Sequence, residues 1–310
     1  MTSTTAPARN LSIVLQFVGM GLVWGASFLF MKIALDGVSF YQVAWSRLVL
    51  GGLTLGIIVL VARQRLPREP VVYLHFLVIA LTNCVIPHLA FAWAEQYVSS
   101  GLASIYNAVT PITTALMVTL AFHVEKLNRG QVLGIGIGIA GVVVIIAPWQ
   151  HAAFTGDLAG QLACLLAAFC YGFSYGYVRR FLSHRPIPGI MFAFLNIGIA
   201  GGIMLLLTPV IAWTPVELDG WIVASLLVLG ILGTGLAYIW NINVLRAWGP
   251  TAASTVTYVT PVVGVFLGVV VLGEILSWNE PVGALVVFVG ILFAQRRIRF
   301  ARRAVISENG

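Results

Sequence analysis

Long apolar segments alternate with short polar ones along nearly the whole chain. A helix needs about 20 apolar residues to cross a bilayer, and cutting the sequence at charged and turn-forming residues gives ten segments of about that length. The predicted spans run approximately over residues 11–31, 40–62, 71–94, 101–122, 131–148, 160–178, 189–211, 220–244, 251–272 and 278–295. The pattern predicts an all-α integral membrane protein with ten transmembrane helices.

The composition excludes a water-soluble fold. Of the 310 residues, 60% are hydrophobic and 9% are charged, whereas roughly a quarter of the residues in soluble domains are charged. A soluble fold of this length has too little interior to hide so many apolar side chains. The first apolar run, from Leu11 to Met31, is longer than the roughly 7–15 residues of a signal-peptide core, so it is predicted to be a true span.

Basic residues concentrate in alternate loops. If the N-terminus lies in the cytoplasm, every Lys and Arg except Lys32 and Arg47 falls on the cytoplasmic side. Because positively charged loops stay in the cytoplasm, the sequence predicts a multi-pass protein of a bacterial-type inner membrane with both termini cytoplasmic. The net charge of +7 is therefore an orientation signal, and no nucleic-acid partner is predicted. The basic tail "RRIRFARR" is suited to contact with anionic lipid.

The two halves of the chain repeat each other. Val109-Thr110-Pro111 recurs 150 residues later as Val259-Thr260-Pro261, and Glu125 recurs as Glu274. Each half holds five predicted spans, and because five is odd, the second copy must enter the membrane from the opposite side. The predicted organisation is an inverted pair of five-helix repeats, with a cytoplasmic tail at 1–10, repeats at 11–150 and 155–295, and a basic cytoplasmic tail at 296–310.

The repeated prolines lie inside predicted spans. A proline in a helix removes the hydrogen bond to the carbonyl four residues back, and for Pro111 and Pro261 those carbonyls belong to Asn107 and Thr257. Polar backbone at membrane depth is tolerated only in a protein interior or beside water. Matched breaks in two halves therefore indicate the lining of a central cavity. The alternative is a packing kink without a ligand, which a single proline would favour.

Several stretches of the sequence resemble one family of membrane proteins. "WGASFLFMKIAL", Arg47 within "AWSRLVLGG", the repeated proline spans and the "EKL" and "GEIL" turns are similar to those of EamA-type exporters of the drug/metabolite transporter superfamily. The resemblance covers essentially the whole chain. It implies ten helices in two inverted repeats and efflux of small metabolites, commonly amino acids. It also implies that the first, third and fourth spans and their second-half counterparts surround the cavity.

The second half departs from the first in its charges. At the places that correspond to Lys32 and Arg47, the second half has Arg179 and the Gly198-Ile199 pair. The two cations of the first half are therefore not matched as a pair in the second. No mechanism with paired charges is therefore carried over from the resemblance.

Polar and aromatic residues occur at membrane depth, but almost no charge accompanies them. Such a cavity suits a small neutral or zwitterionic solute, with aromatic walls and hydrogen-bonding groups. The candidate substrate-binding residues are Trp24, Asn83, His88, Tyr106, Asn107, Thr110, Tyr171, Tyr175, Tyr238, Asn241, Thr257, Tyr258 and Thr260. Paired carboxylates, a phosphate loop and a nucleotide-binding domain are missing from the sequence, so we predict no enzyme, no cofactor and no ATPase subunit.

Cys84 and His88 share a helix face at a spacing of four residues. A metal site is one interpretation, but no other thiolate or carboxylate lies nearby in the sequence, which favours packing residues. His88 is also the best intramembrane candidate for a titrating group in a transport pathway. A neutral, packed histidine is the alternative that we favour.

Arg47 lies seven residues into its span, about 10 Å along the helix at ~1.5 Å per residue. An arginine at that depth must face the interior, a wet vestibule or a partner. The prediction is a tether to Glu95 at the outer end of the third span; the alternative is a grip on a substrate carboxylate. We therefore assign structural or gating roles to Arg47, Glu95, Pro111 and Pro261.

The expected function is that of a secondary transporter in the lipid bilayer. It would export small metabolites, most often neutral or aromatic amino acids, by alternating access between the two sides of the membrane. The alternatives are a carrier for a drug, sugar or nucleotide-type metabolite, or a channel or membrane-embedded enzyme that reuses the bundle. An enzyme would need convergent catalytic groups, and a channel needs no inverted repeat.

The orientation can be tested by labelling single cysteines in a cysteine-free background. A cysteine at position 217, in place of Glu217, should react with an impermeant thiol reagent from outside the cell. A cysteine in place of Arg185 should react only after permeabilisation. Reaction of both from the same side would contradict the ten-span arrangement.

Overall fold

The protein is a bundle of ten helices, seen here in a computed structural model that describes residues 11–124, 127–150, 156–211, 213–248 and 256–294. No β-strand occurs among these residues. In chain order, the helices are α1 (Leu11–Ala34), α2 (Phe40–Val61), α3 (Pro70–Ala94), α4 (Ser100–Ala121), α5 (Arg129–Ile146), α6 (Gly156–Phe181), α7 (Gly189–Ile211), α8 (Gly220–Trp248), α9 (Val256–Leu272) and α10 (Asn279–Ala294).

The predicted all-α membrane fold is confirmed. Eight of the helices are long and apolar enough to cross a membrane, and two shorter apolar ones, α9 and α10, complete the ten. The predicted bounds agree to within a few residues, although α1 runs on to Ala34 and α6 begins at Gly156. The start predicted for the ninth span, at 251–255, lies outside the described residues.

Local sequence signals set several helix starts. The Ser39 hydroxyl accepts the backbone N–H of Gln42, and the Gln42 side chain accepts the N–H of Ser39 in return. Asn128 and Gln131 form the same reciprocal capping box at the start of α5. These caps satisfy backbone donors that would otherwise lie unpaired at the first turn.

The helices are not uniform. α4 is interrupted by a turn at Ala108–Val109, immediately before Thr110 and Pro111. In contrast, α9 continues through Pro261 without a turn. The expectation of matched breaks at the two prolines is therefore wrong for α9, because a proline near the start of a helix removes a hydrogen bond without ending the helix.

A matched irregularity occurs elsewhere, in α3 and α8. Leu81–Val85 of α3 and Val228–Leu236 of α8 are π-helical, and the two segments lie about 150 residues apart, at the offset of the sequence repeat. A π-helical turn widens the helix by one residue and leaves backbone groups without their usual partners. This pair was not predicted from the sequence.

Opposite ends of the bundle carry different loops. We name the end with the connecting residues 35–39, 95–99, 147–150, 213–219 and 273–278 the acidic-loop end, and the other the basic-loop end. At the acidic-loop end, Glu274 accepts the backbone N–H groups of Ser100 and Gly101 at 2.6 and 3.0 Å. The backbone N–H of Glu217 donates to the carbonyl of Gly37 at 2.8 Å. These contacts join the two halves of the chain at this end.

Helices α5 and α10 form the most extensive helix pair, and glycines let their backbones touch. A Cβ on Gly290 would lie 2.6 Å from the nitrogen of Gly138 and 2.7 Å from the carbonyl oxygen of Gly134. A Cβ on Gly136, in the same helix α5, would meet nothing within 4 Å. Small residues at such contacts are what allow close packing in membranes.

The glycine contact predicts a contrast between two alanine substitutions. Gly290→Ala should destabilise the protein by about 1–3 kcal/mol, because backbone atoms cannot yield without separating α5 from α10. Gly136→Ala is the matched control and should be neutral or slightly stabilising, since alanine is the better helix former. Thermal unfolding in detergent measures both, and equal melting temperatures would contradict the packing described here.

Candidate functional site

A cavity of about 830 Å³, including its open mouth, lies in the middle of the bundle. Its walls come from α1, α2, α3, α4, α6, α8 and α9, so both halves of the chain contribute. The lining residues are Trp24, Ser27, Phe28, Met31, Arg47, Asn83, His88, Phe91, Asn107, Thr110, Tyr171, Tyr175, Tyr238, Thr257 and Thr260. Tyr175 lies one helical turn nearer the basic-loop end than Tyr171, and its side chain is 53% exposed.

Ten of the thirteen candidate residues predicted from the sequence lie on this cavity. Three do not. Tyr106 is fully buried, and its hydroxyl donates to Oε1 of Gln161 at 2.7 Å. Tyr258 packs edge-to-face on Phe288 with ring centroids 5.2 Å apart, and Asn241 is outside the lining.

The sequence interpretation missed three apolar lining residues. Phe28 and Met31 lie on one face of α1, four and seven residues beyond Trp24, and Phe91 lies three residues beyond His88; Ser27, a polar residue on the same face of α1, also lines the cavity. Helical spacing from the two predicted residues was the signal that could have found them, because positions three, four and seven apart share a helix face.

The π-helical segment of α8 packs against α1 beside the cavity. The indole N–H of Trp24 donates to the carbonyl of Gly233 at 3.0 Å, inside that segment. The Trp24 ring also meets Tyr238 edge-on, with centroids 5.7 Å apart. A carbonyl released from the regular helix is thus satisfied by a cavity side chain, which fixes the orientation of the indole.

Arg47 projects into the cavity rather than toward Glu95. Its Nε donates to the hydroxyl of Thr234 at 3.0 Å, and that hydroxyl donates in turn to the carbonyl of Leu229, five residues back. Among the described residues, neither terminal nitrogen of the guanidinium has a hydrogen-bond partner. The tether to Glu95 is absent, because the rotation of α2 directs Arg47 inward to α8. The guanidinium faces the cavity, and the alternative role, a grip on a substrate carboxylate, stays a prediction.

Glu95 lies apart from the cavity, at the acidic-loop end. Its side chain is fully buried, and neither carboxylate oxygen has a partner among the described residues. The Lys32 ammonium donates instead to the backbone carbonyls of Glu95 and Val98. Burial raises the pKa of the Glu95 carboxyl well above its ordinary value, although the nearby Lys32 charge opposes the shift. Burial therefore favours the protonated form of Glu95.

His88 has one ring nitrogen committed and one free to accept. Its Nδ1 lies 2.5 Å from the carbonyl oxygen of Cys84. Because a carbonyl can only accept, Nδ1 carries the hydrogen, and the Nε2 of the neutral ring has a lone pair. The Cys84 thiol lies 3.5 Å from Oδ1 of Asn196, which is a packing contact between α3 and α7.

The proline region of α4 is satisfied internally. The carbonyl of Asn107, four residues before Pro111, accepts the hydroxyl of Thr110 at 2.8 Å. The Thr113 hydroxyl reaches the carbonyl of Ala168 on α6 at 2.7 Å. The Asn107 carbonyl, which lacks a hydrogen bond from Pro111, therefore accepts one from Thr110, since a threonine beside a broken turn is well placed to donate back.

A ten-helix apolar bundle around a polar cavity defines a multi-pass membrane protein of the transporter class. The chain belongs to the EamA-like transporter family, whose model matches it twice, at residues 11–147 and 158–295. Members of this family are transporters and not enzymes. One solved crystal structure superposes with a TM-score of 0.62 at 21% identity, covering 94% of this chain and 100% of the other, so the two share a fold.

Curated relatives match over nearly their full length at low identity. The "Uncharacterized transporter YoaV" of Bacillus subtilis is 25% identical, over 94% of this chain and 99% of its own. The "Probable terminal-alkyne amino-acid exporter" of Streptantibioticus cattleyicolor is 25% identical over 91% and 93%. The "Probable amino-acid metabolite efflux pump" of Salmonella typhimurium is 26% identical over 92% and 95%.

The unpaired carboxyl of Glu95 predicts how stability depends on pH. Because its pKa is raised in the folded state, the folded protein keeps a proton that the unfolded chain releases. The associated stability is present below the unfolded pKa and is lost as pH rises through the folded pKa. The melting temperature should therefore fall as the pH rises above about 4.3, the ordinary pKa of a glutamate.

Glu95→Gln should flatten this profile, because glutamine keeps the shape and removes the titration. Glu217→Gln is the control, since Glu217 is exposed in a loop at the same end, and it should leave the slope unchanged. Identical slopes in the native protein and in Glu95→Gln would show that Glu95 is ionised when folded.

Proposed function

We propose that this protein exports small metabolites that carry a carboxylate, amino acids among them, through the central cavity by alternating access. The observation that carries the proposal is the guanidinium of Arg47, which faces an otherwise uncharged cavity with its two terminal nitrogens unpaired. Arginine binds planar carboxylates through two parallel hydrogen bonds. The aromatic walls suit an apolar body attached to that carboxylate.

The arrangement of the two repeats supports alternating access. The family model matches each half of the chain, and each match contains five of the ten helices, so the second half runs through the membrane in the opposite sense. The contact of Glu274 with Ser100 and Gly101 joins the halves at the acidic-loop end. Exchanging the conformations of the two halves would open this end and close the other.

The names of relatives support the substrate class. Two of the relatives described above are named as amino-acid or amino-acid-metabolite exporters, at 25% and 26% identity. The charge pattern of the loops supports an inner-membrane orientation in which the acidic-loop end faces outward and both termini are cytoplasmic. In that orientation, the contacts that Glu274 and Lys32 make between helices lie at the outer end of the bundle.

Counterflow in proteoliposomes tests the proposal. Vesicles that contain the purified protein and are preloaded with unlabelled L-phenylalanine should accumulate external labelled L-phenylalanine transiently, and the initial rate should saturate. Saturable exchange separates a carrier from a channel. If no amino acid or other carboxylate in a panel exchanged, the proposed substrate class would be lost; exchange of a sugar alone would keep the carrier and replace its substrate.

A tryptophan substitution locates the pathway. Thr257→Trp places a large ring into the lining of the cavity on α9 and should reduce exchange at least tenfold. Val262→Trp is the matched control, because Val262 lies on the same helix with its side chain 68% exposed on the opposite face. Both variants should keep the native melting temperature to within a few degrees. Normal exchange by Thr257→Trp would place the pathway elsewhere.

A further inference from the structure

We infer that the cavity prefers monoanionic carboxylates over zwitterions, taking an apolar or aromatic body with one neutral hydrogen-bond donor beside the carboxylate. N-acylated amino acids and 2-hydroxy acids have this chemistry. The inference rests on the proposed function and sharpens its substrate class. It follows from the charge balance of the lining, the geometry of Arg47 and the acceptors that the cavity has already used.

The lining of the cavity carries an unbalanced positive charge. Among the described residues that line the cavity, Arg47 alone carries a charge, and no aspartate or glutamate accompanies it. The acid once expected to pair with Arg47, Glu95, is buried outside the cavity. A monoanion would neutralise the guanidinium, whereas a zwitterion brings its ammonium into the same low-dielectric space and leaves a net positive charge there.

The guanidinium is also oriented. Its Nε is held by the hydroxyl of Thr234 at 3.0 Å, and Thr234 is itself held by the carbonyl of Leu229 at 2.9 Å. Because Nε donates to Thr234, the edge of the guanidinium formed by the two terminal nitrogens is the one that remains for a ligand. That edge matches both oxygens of a carboxylate end-on.

An ammonium group would meet no negatively charged acceptor among the described residues that line the cavity. Three backbone carbonyls at the cavity are already occupied: Gly233 by the Trp24 indole, Asn107 by the Thr110 hydroxyl, and Cys84 by His88. The lone pair on His88 Nε2 remains, and it can take one hydrogen from an amide N–H or a hydroxyl. The other side-chain acceptors of the lining are the amide oxygens of its Asn residues and the hydroxyl oxygens of its Ser, Thr and Tyr residues, and none of these carries a negative charge that would neutralise an ammonium.

Aromatic side chains form the rest of the wall. Phe91 meets Phe28 edge-on at a centroid distance of 5.5 Å and stacks on Tyr171 at 6.3 Å with an interplanar angle of 29°. These rings, together with Met31, cover the part of the cavity nearer the acidic-loop end. A phenyl or branched apolar body fits against them while the carboxylate meets Arg47.

Four probes with the same phenyl ring test the preference. L-Phenylalanine, N-acetyl-L-phenylalanine, 3-phenyllactate and L-phenylalaninamide should be compared as competitors and as counterflow substrates in proteoliposomes of the native protein. N-Acetyl-L-phenylalanine and 3-phenyllactate should half-saturate exchange at concentrations at least fivefold lower than L-phenylalanine. L-Phenylalaninamide, which keeps the ammonium and lacks the carboxylate, should not exchange.

The outcomes separate this inference from the proposed function. Saturable exchange of L-phenylalanine with no competition from the two monoanions would overturn the inference and leave the proposed function intact. Exchange of L-phenylalaninamide as good as that of L-phenylalanine would also overturn it. Absence of exchange for all four probes would remove the carboxylate class itself, and the inference with it.

Substitution at Arg47 gives a second readout. Arg47→Gln should raise the half-saturating concentration of N-acetyl-L-phenylalanine more than tenfold and that of L-phenylalanine less, so that the preference disappears. Arg47→Lys keeps the charge without the fork and should be intermediate. The matched control is Arg129→Gln, because Arg129 is an exposed arginine at the start of α5 and outside the cavity.

Folding of the variants is checked by size-exclusion chromatography and melting temperature. If Arg47→Gln does not fold, the ratio of half-saturating concentrations in Arg47→Lys and in the native protein still decides the matter. An unchanged ratio in a folded Arg47 variant would show that the guanidinium does not bind the carboxylate.

Discussion

Inside a bilayer, every backbone group that a helix releases must find its partner within the protein, and the cavity of this protein is built from such partners. The turn in α4 and the π-helical segments of α3, α4 (Met117–Ala121) and α8 are irregular places in the described helices around it. The Trp24 indole donates a hydrogen bond to the Gly233 carbonyl, and the Thr110 hydroxyl donates one to the Asn107 carbonyl. The same hydrogen bonds that make the irregular backbone tolerable also fix the side chains that a solute would meet.

Much of this arrangement follows from the sequence, for physical reasons. Hydropathy locates the spans because a membrane helix must be apolar over about 20 residues. Polar residues such as Asn83, His88 and Thr257 were assigned to the cavity because lipid cannot accommodate them, and all three line it. Tyr106 shows the limit of that rule, since a polar group can equally be satisfied by a buried neighbour, here Gln161.

The pairing of charges could not be predicted, because it depends on the rotation and tilt of whole helices. Arg47 and Glu95 lie at depths that would permit contact, yet α2 turns Arg47 toward Thr234 on α8. The π-helical segments were equally hidden: nothing in "LTNCV" distinguishes a π turn from an α turn. They accompany tertiary contacts that the local sequence does not reveal. In α8 these contacts are the hydrogen bonds from Trp24 to the Gly233 carbonyl and from Arg47 to the Thr234 hydroxyl.

The separation of the two charges has a mechanical consequence. Had Arg47 been paired with Glu95, opening the acidic-loop end would require breaking a buried ion pair, which costs several kcal/mol when one partner is left uncompensated. Instead, that end is held by Lys32 on backbone carbonyls and by Glu274 on backbone N–H groups. Under the proposed alternating access, water could replace each of these bonds when that end opened, so opening would leave no buried charge uncompensated. The cation that remains in the cavity is then available to the solute.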